Sequence, residues 1–285
     1  MKIIKFIENG IKCFGVVNDK NEVVKINYDN IFDIMEDFEN LKNMDLFSNK
    51  KLYKMNLLSV LAPIEYPKRN LFCIGKNYRE HAKELEGKIE GISEDPIYFS
   101  KMAYPAIGHD KEIKLHLDVT NEVDYEVELG VIIGKKCNNV DKESVKKYIF
   151  GYTIINDVTA RDLQRTHFQW LRGKSLDTFC PMGPVIVTAD EIEDHGNLNL
   201  SLNINGEIRQ NSNTSRMIFS IEHIISELSK GITLVPGDII ASGTPEGVGM
   251  GFVPPKYLKE GDEVVCKIEH IGELRNVLVK WWVML

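Results

Sequence analysis

Between residues 122 and 133 the chain reads Glu122-Val-Asp124-Tyr-Glu126-Val-Glu128 and then Leu129-Gly-Val-Ile-Ile133. Acidic residues alternate with Val and Tyr, so on a strand all four carboxylates share one face. Like charges at that spacing repel, and the apolar run that follows belongs in a core, where ionised groups are costly. A divalent cation resolves the conflict, because hard cations such as Mg²⁺ take carboxylate oxygens. The other reading is an edge strand whose charges discourage further pairing. Spacing does not choose among Glu122, Asp124, Glu126 and Glu128 as ligands.

Asp157 strengthens the cation reading. It follows Phe150-Gly-Tyr-Thr-Ile-Ile, a strand expected to end at Asn156-Asp157. A lone Asp there is commonly a turn or helix N-cap residue. Three carboxylates from two strand ends would instead make an open Mg²⁺ site, with positions left for water or substrate.

The 285 residues carry a net charge of −7 with no cluster of Lys and Arg interleaved with aromatics, which speaks against nucleic acid as a partner. A small anionic substrate stays open, because local cations matter more than the total. No apolar stretch approaches the ~20 residues that span a bilayer, and the start Met1-Lys-Ile-Ile-Lys-Phe-Ile lacks the pattern of a signal peptide. Five scattered cysteines (Cys13, Cys73, Cys137, Cys180 and Cys266) with no C-x-x-C pair suit reduced thiols in a cytoplasmic protein.

The length suggests one large or two unequal domains. Residues 1–28 alternate apolar and polar around Asn9-Gly10 and read as an antiparallel meander. Residues 29–60 look helical, with an interruption near 42–51. Pro63 and Pro67 bracket a connector, which places a boundary near 65: a small N-terminal α+β module over 1–65 and a second domain over 66–285. In the second domain, Leu198 to Arg209 reads as a hairpin turning at Asn205-Gly206. Strands are expected at Asp238-Ile-Ile-Ala, Glu263-Val-Val-Cys-Lys-Ile and Leu274-Arg-Asn-Val-Leu-Val-Lys. Ile218, Ile221, Ile224, Ile225 and Leu228 mark an amphipathic helix over about 217–229, and 158–170 reads as a short helix or turn. Strands do not alternate regularly with helices, so an α+β, mainly β body fits better than a doubly wound sheet.

Three further segments carry chemistry-bearing groups. In Cys73-Ile-Gly-Lys-Asn-Tyr-Arg-Glu-His81-Ala-Lys-Glu84 a strand gives way to a polar helix, and His81 and Glu84 share a face at i, i+3. A Glu bonded to one imidazole nitrogen raises basicity at the other, as a general base requires, although a solvated helix face has the same pattern. Arg161, Gln164 and Lys174 follow Asp157 closely and could serve an oxyanion or a carboxylate, or be ordinary surface groups. Ser242-Gly-Thr244-Pro-Glu-Gly-Val-Gly249 is a Gly-rich turn whose amides and Thr244 hydroxyl could hold an anion. It lacks the Gly-Lys-Ser/Thr ending of a phosphate loop.

Taken together, these segments resemble the fumarylacetoacetate hydrolase family, including its 2-hydroxyhepta-2,4-diene-1,7-dioate isomerases and acylpyruvate hydrolases. The matching stretches are Cys73 to Glu84, Val123 to Leu129, Gly151 to Gln164, Lys174 to Pro184, Asn205 to Phe219 and Pro236 to Gly249, in the family's order and spacing over about 68–280. The resemblance implies a mixed β-roll or barrel catalytic domain, usually a homodimer. It makes Glu126, Glu128 and Asp157 the ligands of Mg²⁺, with Mn²⁺ or Ca²⁺ as substitutes. It makes His81 and Glu84 the pair that activates water, Arg161, Gln164 and Lys174 the oxyanion-side groups, and Thr244 a contact to the substrate carboxylate. The expected substrate is a small 2-oxo acid. Hydrolysis of an acylpyruvate C–C bond is the leading expectation. The alternatives are an isomerase or decarboxylase of 2-oxo or 2-hydroxydienoic dicarboxylates and, more remotely, a protein that binds 2-oxo acids without turnover. The loops 85–95 and 250–257 are expected to shape the pocket.

Overall fold

A computed structural model describes residues 1–85 and 94–281, so most of the expected pocket loop at 85–95 lies outside the described residues. The body is two open sheets. In the longer one, neighbouring strands run Leu52–Lys54, Glu22–Ile26, Ile11–Val17, Lys2–Glu8, Met182–Thr188, Ile149–Asn156, Val127–Ile133, Ile239–Ala241, Leu71–Gly75 and Ile97–Lys101, and Ser59–Leu61 also pairs with Lys2–Glu8. The shorter sheet runs Glu207–Asn213, Asn199–Ile204, Glu263–Ile268, Gly272–Val279 and Lys111–Lys114. Pairing is antiparallel except where Ile239–Ala241 meets Leu71–Gly75 and where Gly272–Val279 meets Lys111–Lys114. The result is the expected mainly β, α+β fold, as a mixed roll whose sheets do not close.

Burial follows the pleat. Leu129, Val131 and Ile133 point into one apolar cluster with Leu200, Leu202, Val264, Cys266 and Leu274 of the shorter sheet. Ile132 points the other way, into a second cluster with Ile31, Ile34 and Leu41 from the N-terminal helices. With both faces covered, the run after Glu128 has to be continuously apolar. The amphipathic helix forms over Ile221–Leu228, with the Ser220 hydroxyl accepting from the His223 amide at its start. It buries Ile221, Ile224, Ile225 and Leu228, each contributing roughly 1.5–3 kcal/mol.

The N-terminal meander is present and joins the long sheet through pairs such as Ile3↔Ile186. The hairpin turns at Asn205 and Gly206, both at positive φ (52° and 83°), as a two-residue turn requires. Two expectations change. Helix occupies Ile31–Glu36 and Phe38–Lys42, but Leu52–Lys54 and Ser59–Leu61 are strands, because open sheet edges recruit them. The acidic run is not one strand: Val123–Asp124 pairs with Thr159–Ala160, and a separate strand starts at Val127. Among the described residues, no helix is long and apolar enough to cross a membrane.

Candidate active site and metal centre

The antiparallel register Val127↔Asn156 and Glu128↔Ile155 brings the start of one strand beside the end of the next. Asp157 donates its amide to the Glu126 carbonyl at 2.8 Å, and Asn156 Oδ1 accepts the Glu126 amide at 3.1 Å. Glu126 and Glu128, two apart, therefore face the same side as Asp157. One oxygen of each lies within 4.8 Å of the others, and all three side chains are buried.

Buried cations surround this group. Lys174 Nζ reaches Glu126 Oε2 at 2.8 Å and Asp157 Oδ2 at 2.7 Å. Arg161 Nη2 lies 2.6 Å from Glu126 Oε1, and its Nε donates to Asp124 Oδ2 at 2.8 Å. Lys101 Nζ lies 2.7 Å from Asp157 Oδ1 and also donates to the carbonyls of Val158 and Lys174. Among the described residues, the ion pairs of Lys101, Lys174 and Arg161 go to Asp157, Glu126 and Asp124 rather than to Glu128. Glu128 accepts the Gly243 amide at 2.9 Å, a contact that Gly243 makes at φ 95°, where a Cβ would come within 2.7 Å of Asn77 Cβ.

The titration of the two glutamates diverges accordingly. Burial pushes Glu126 up, but Lys174 and Arg161 outweigh it and hold its carboxyl well below the ordinary range. Burial, Asp157 and Glu126 together push Glu128 well above the ordinary range, against the weaker pull of Lys174 and the Gly243 amide. Lys174 is disfavoured by burial, yet Asp157 and Glu126 raise it above a normal lysine, so it stays cationic. An all-carboxylate donor set, in which burial and two neighbouring carboxylates oppose the ionisation of Glu128, fits a hard divalent cation.

His81 and Glu84 project from the helix Arg79–Glu84 into the same place. His81 Nδ1 lies 3.2 Å from Glu84 Oε2, and Glu84 accepts the Gly247 amide at 3.0 and 3.2 Å through its two oxygens. With the Nδ1 proton assigned to that contact, Nε2 carries the basic lone pair. His81, Glu126, Glu128, Arg161, Gln164, Lys174 and Thr244 line one cavity with Phe99 and Trp170. The enclosed space among them is about 20 Å³.

The structure thus brings His81, Glu84, Glu126, Glu128, Asp157, Arg161, Gln164, Lys174 and Thr244 together, and adds detail on Gln164, Thr244, Glu122 and Asp124. Gln164 Oε1 accepts from Arg161 Nη1 at 3.0 Å, which leaves its amide N–H groups to donate elsewhere. The Thr244 hydroxyl donates to the Val127 carbonyl at 2.9 Å and accepts from Gln210 Nε2 at 2.8 Å, so its proton is already committed. Glu122 lies outside the cavity lining, bonded to Arg165 and Tyr257, whereas Asp124 is wholly buried. Lys101 escaped sequence reading, because a lysine closing the strand Ile97–Lys101 looks like any strand-end charge.

The family model for the fumarylacetoacetate (FAA) hydrolase C-terminal domain matches residues 70–279. The oxaloacetate tautomerase YisK of Bacillus subtilis is 49% identical over 225 residues, 79% of this chain and 74% of that one. A solved fumarylacetoacetate hydrolase from the psychrophile Exiguobacterium antarcticum superposes with a TM-score of 0.86 at 37% identity, covering 99% of this chain and all of the other. A maleylpyruvate hydrolase from a Sphingobium species, solved with manganese(II) and pyruvate, gives a TM-score of 0.82 at 29% identity over 99% and 100% of the two chains. A family model over most of the chain, a relative 49% identical and a solved structure that superposes over 99% of the chain show that it belongs to the fumarylacetoacetate hydrolase family.

Proposed function

We propose that this protein is a divalent-metal-dependent tautomerase of a small 2-oxo dicarboxylic acid of the oxaloacetate type. The carrying observation is that His81, held by Glu84, lines one tight cavity with Glu126 and Glu128, whose carboxylates cluster with that of Asp157. The likeness to an oxaloacetate tautomerase supports the choice of reaction.

Glu126, Glu128 and Asp157 would hold Mg²⁺ or Mn²⁺, which when bound supplies Lewis acidity toward the 2-oxo group. His81 takes a proton through Nε2 from the carbon next to the 2-oxo carbonyl, and Glu84 holds the imidazolium that forms. Return of a proton to the oxygen completes the enol, and the reverse sequence regenerates the ketone, so no water is consumed. Lys174 has two of its three N–H groups on carboxylates, which leaves one for the developing oxyanion, with the Gln164 amide beside it. At Thr244 the group left to meet a substrate carboxylate is the backbone N–H, since the hydroxyl proton is engaged.

Hydrolysis of an acylpyruvate is the second reading, supported by the fold shared with the maleylpyruvate hydrolase. There His81 would deprotonate water rather than carbon. A screen of oxaloacetate, acetylpyruvate, fumarylpyruvate and 2-hydroxyhepta-2,4-diene-1,7-dioate with Mg²⁺ or Mn²⁺, run in oxygen-18 water, separates the two. Tautomerisation gives faster keto–enol equilibration of oxaloacetate with no label in a released acid. Label in a cleaved product, with oxaloacetate untouched, overturns it. A homodimer is part of the same proposal, tested by the mass in solution.

A further inference from the structure

Asp124 has no solvent exposure, and its carboxylate is fully bonded. Oδ1 accepts the amides of Tyr125 at 2.9 Å and Gly249 at 2.6 Å. Oδ2 accepts the Met250 amide at 3.0 Å and Arg161 Nε at 2.8 Å. The segment that supplies the Gly249 and Met250 amides also supplies the Gly247 amide to Glu84. Leu85, which ends the His81 helix, packs with Val248, Met250 and Tyr257 in a small apolar cluster of its own. Segment 247–251 is therefore clamped between two carboxylates, Glu84 on the side of the base and Asp124 on the side of Arg161. Arg161 carries the connection into the metal site through Nη2 on Glu126 and Nη1 on Gln164.

A buried carboxylate–guanidinium pair is weak evidence for a stabilising role, because desolvation offsets much of its attraction. Its geometry does set direction: with Nε held by Asp124, the Nη edge of the planar guanidinium is aimed at Glu126. We propose that Asp124 is a positioning residue that ties the docking of segment 247–251, and through it the His81–Glu84 pair, to the orientation of Arg161 at the metal site. With the segment seated, Asp124 has four donors and Arg161 is fixed. With it lifted, Asp124 loses two of the four, Glu84 loses the Gly247 amide, and the base and the guanidinium are released together.

The effect on turnover rests on the base-and-metal reading above, but the tie itself does not, and two experiments keep them apart. Hydrogen exchange needs no substrate. Arg161→Lys keeps the charge and removes the Nε donor, so amide exchange in peptides containing Gly247, Gly249 and Met250 should speed up by roughly 10-fold, with the helix Ile221–Leu228 unchanged. Exchange at the wild-type rate overturns the tie. The second is a double-mutant cycle on kcat with Asp124→Asn and Glu84→Gln, with Mn²⁺ affinity measured alongside. Each single change should lower kcat more than it changes KM, and the double variant should fall short of the product of the two losses by roughly 10-fold. A fully multiplicative loss contradicts the proposal. If Asp124→Asn does not fold, the exchange experiment decides alone. Faster exchange in an enzyme that turns over none of the screened substrates leaves the tie standing and removes the activity reading.

Discussion

Lys101 Nζ lies 2.7 Å from Asp157 Oδ1, and neither side chain is exposed to solvent. The lysine reaches Asp157 from the far end of the long sheet, so two strands distant in the chain share one buried ion pair. Removing one partner of a buried pair costs about 3–5 kcal/mol when it strands the other charge; here Lys174 still reaches Asp157 Oδ2 at 2.7 Å, so the loss is a part of that. Lys101→Met should lower the melting temperature sharply without metal, and Mn²⁺ should restore more of it than it adds to the wild type. Equal melting temperatures without metal would show that the pair does not hold the site.

Glu128 should behave in the opposite way. Burial and two neighbouring carboxylates oppose its ionisation, and Gln keeps an acceptor for the Gly243 amide. Glu128→Gln should melt at or above the wild-type temperature without metal, yet show no Mn²⁺ heat in titration calorimetry and no metal-dependent turnover. Retained turnover would remove Glu128 from the ligand set.

The base is tested by two substitutions away from the carboxylates. His81→Ala should keep Mn²⁺ affinity within about threefold and lower kcat by roughly 10²–10⁴. Gly251→Ala would place a Cβ 2.0 Å from Glu84 Oε1, so the flexible carboxylate must swing away from His81. Its kcat should fall by roughly 10-fold, a part of the His81 effect, at unchanged Mn²⁺ affinity. Loss of metal binding in either variant would point to a structural role instead.

A separate cluster contributes to acid stability. His195 Nδ1 lies 2.8 Å from the Tyr152 hydroxyl and Nε2 lies 3.0 Å from Glu222 Oε1. Burial lowers the His195 pKa below 6.5, with Glu222 opposing it. The unfolded chain then takes up a proton that the folded one resists. This stability is present above 6.5 and is lost as pH falls through the lowered folded value. His195→Gln should flatten the acid-side drop of the urea midpoint, and an unchanged slope would assign the drop to other groups.

Legibility from sequence followed how local each constraint is. Glu126 and Glu128 stood out because a period-two acidic run feeds a core strand, and Asp157 because it ends the neighbouring strand. The choice of these three over Glu122 and Asp124 came from resemblance, not from spacing. Lys101 and the bonding of Asp124 stayed hidden, because the partners other than the adjacent Tyr125 lie 37 to 126 residues away and the sheet order and the 247–251 turn bring them together. Leu52–Lys54 read as helix for a related reason: its strand conformation is set by the edge offered by Glu22–Ile26.

The most direct measurement is the rate of keto–enol equilibration of oxaloacetate, followed by the ultraviolet absorbance of the enol with and without Mn²⁺. A metal-dependent tautomerase predicts acceleration by the wild type with Mn²⁺, none by Glu128→Gln, and little by His81→Ala despite bound metal. Wild-type acceleration that survives in both variants, or none at all under saturating Mn²⁺, would contradict it.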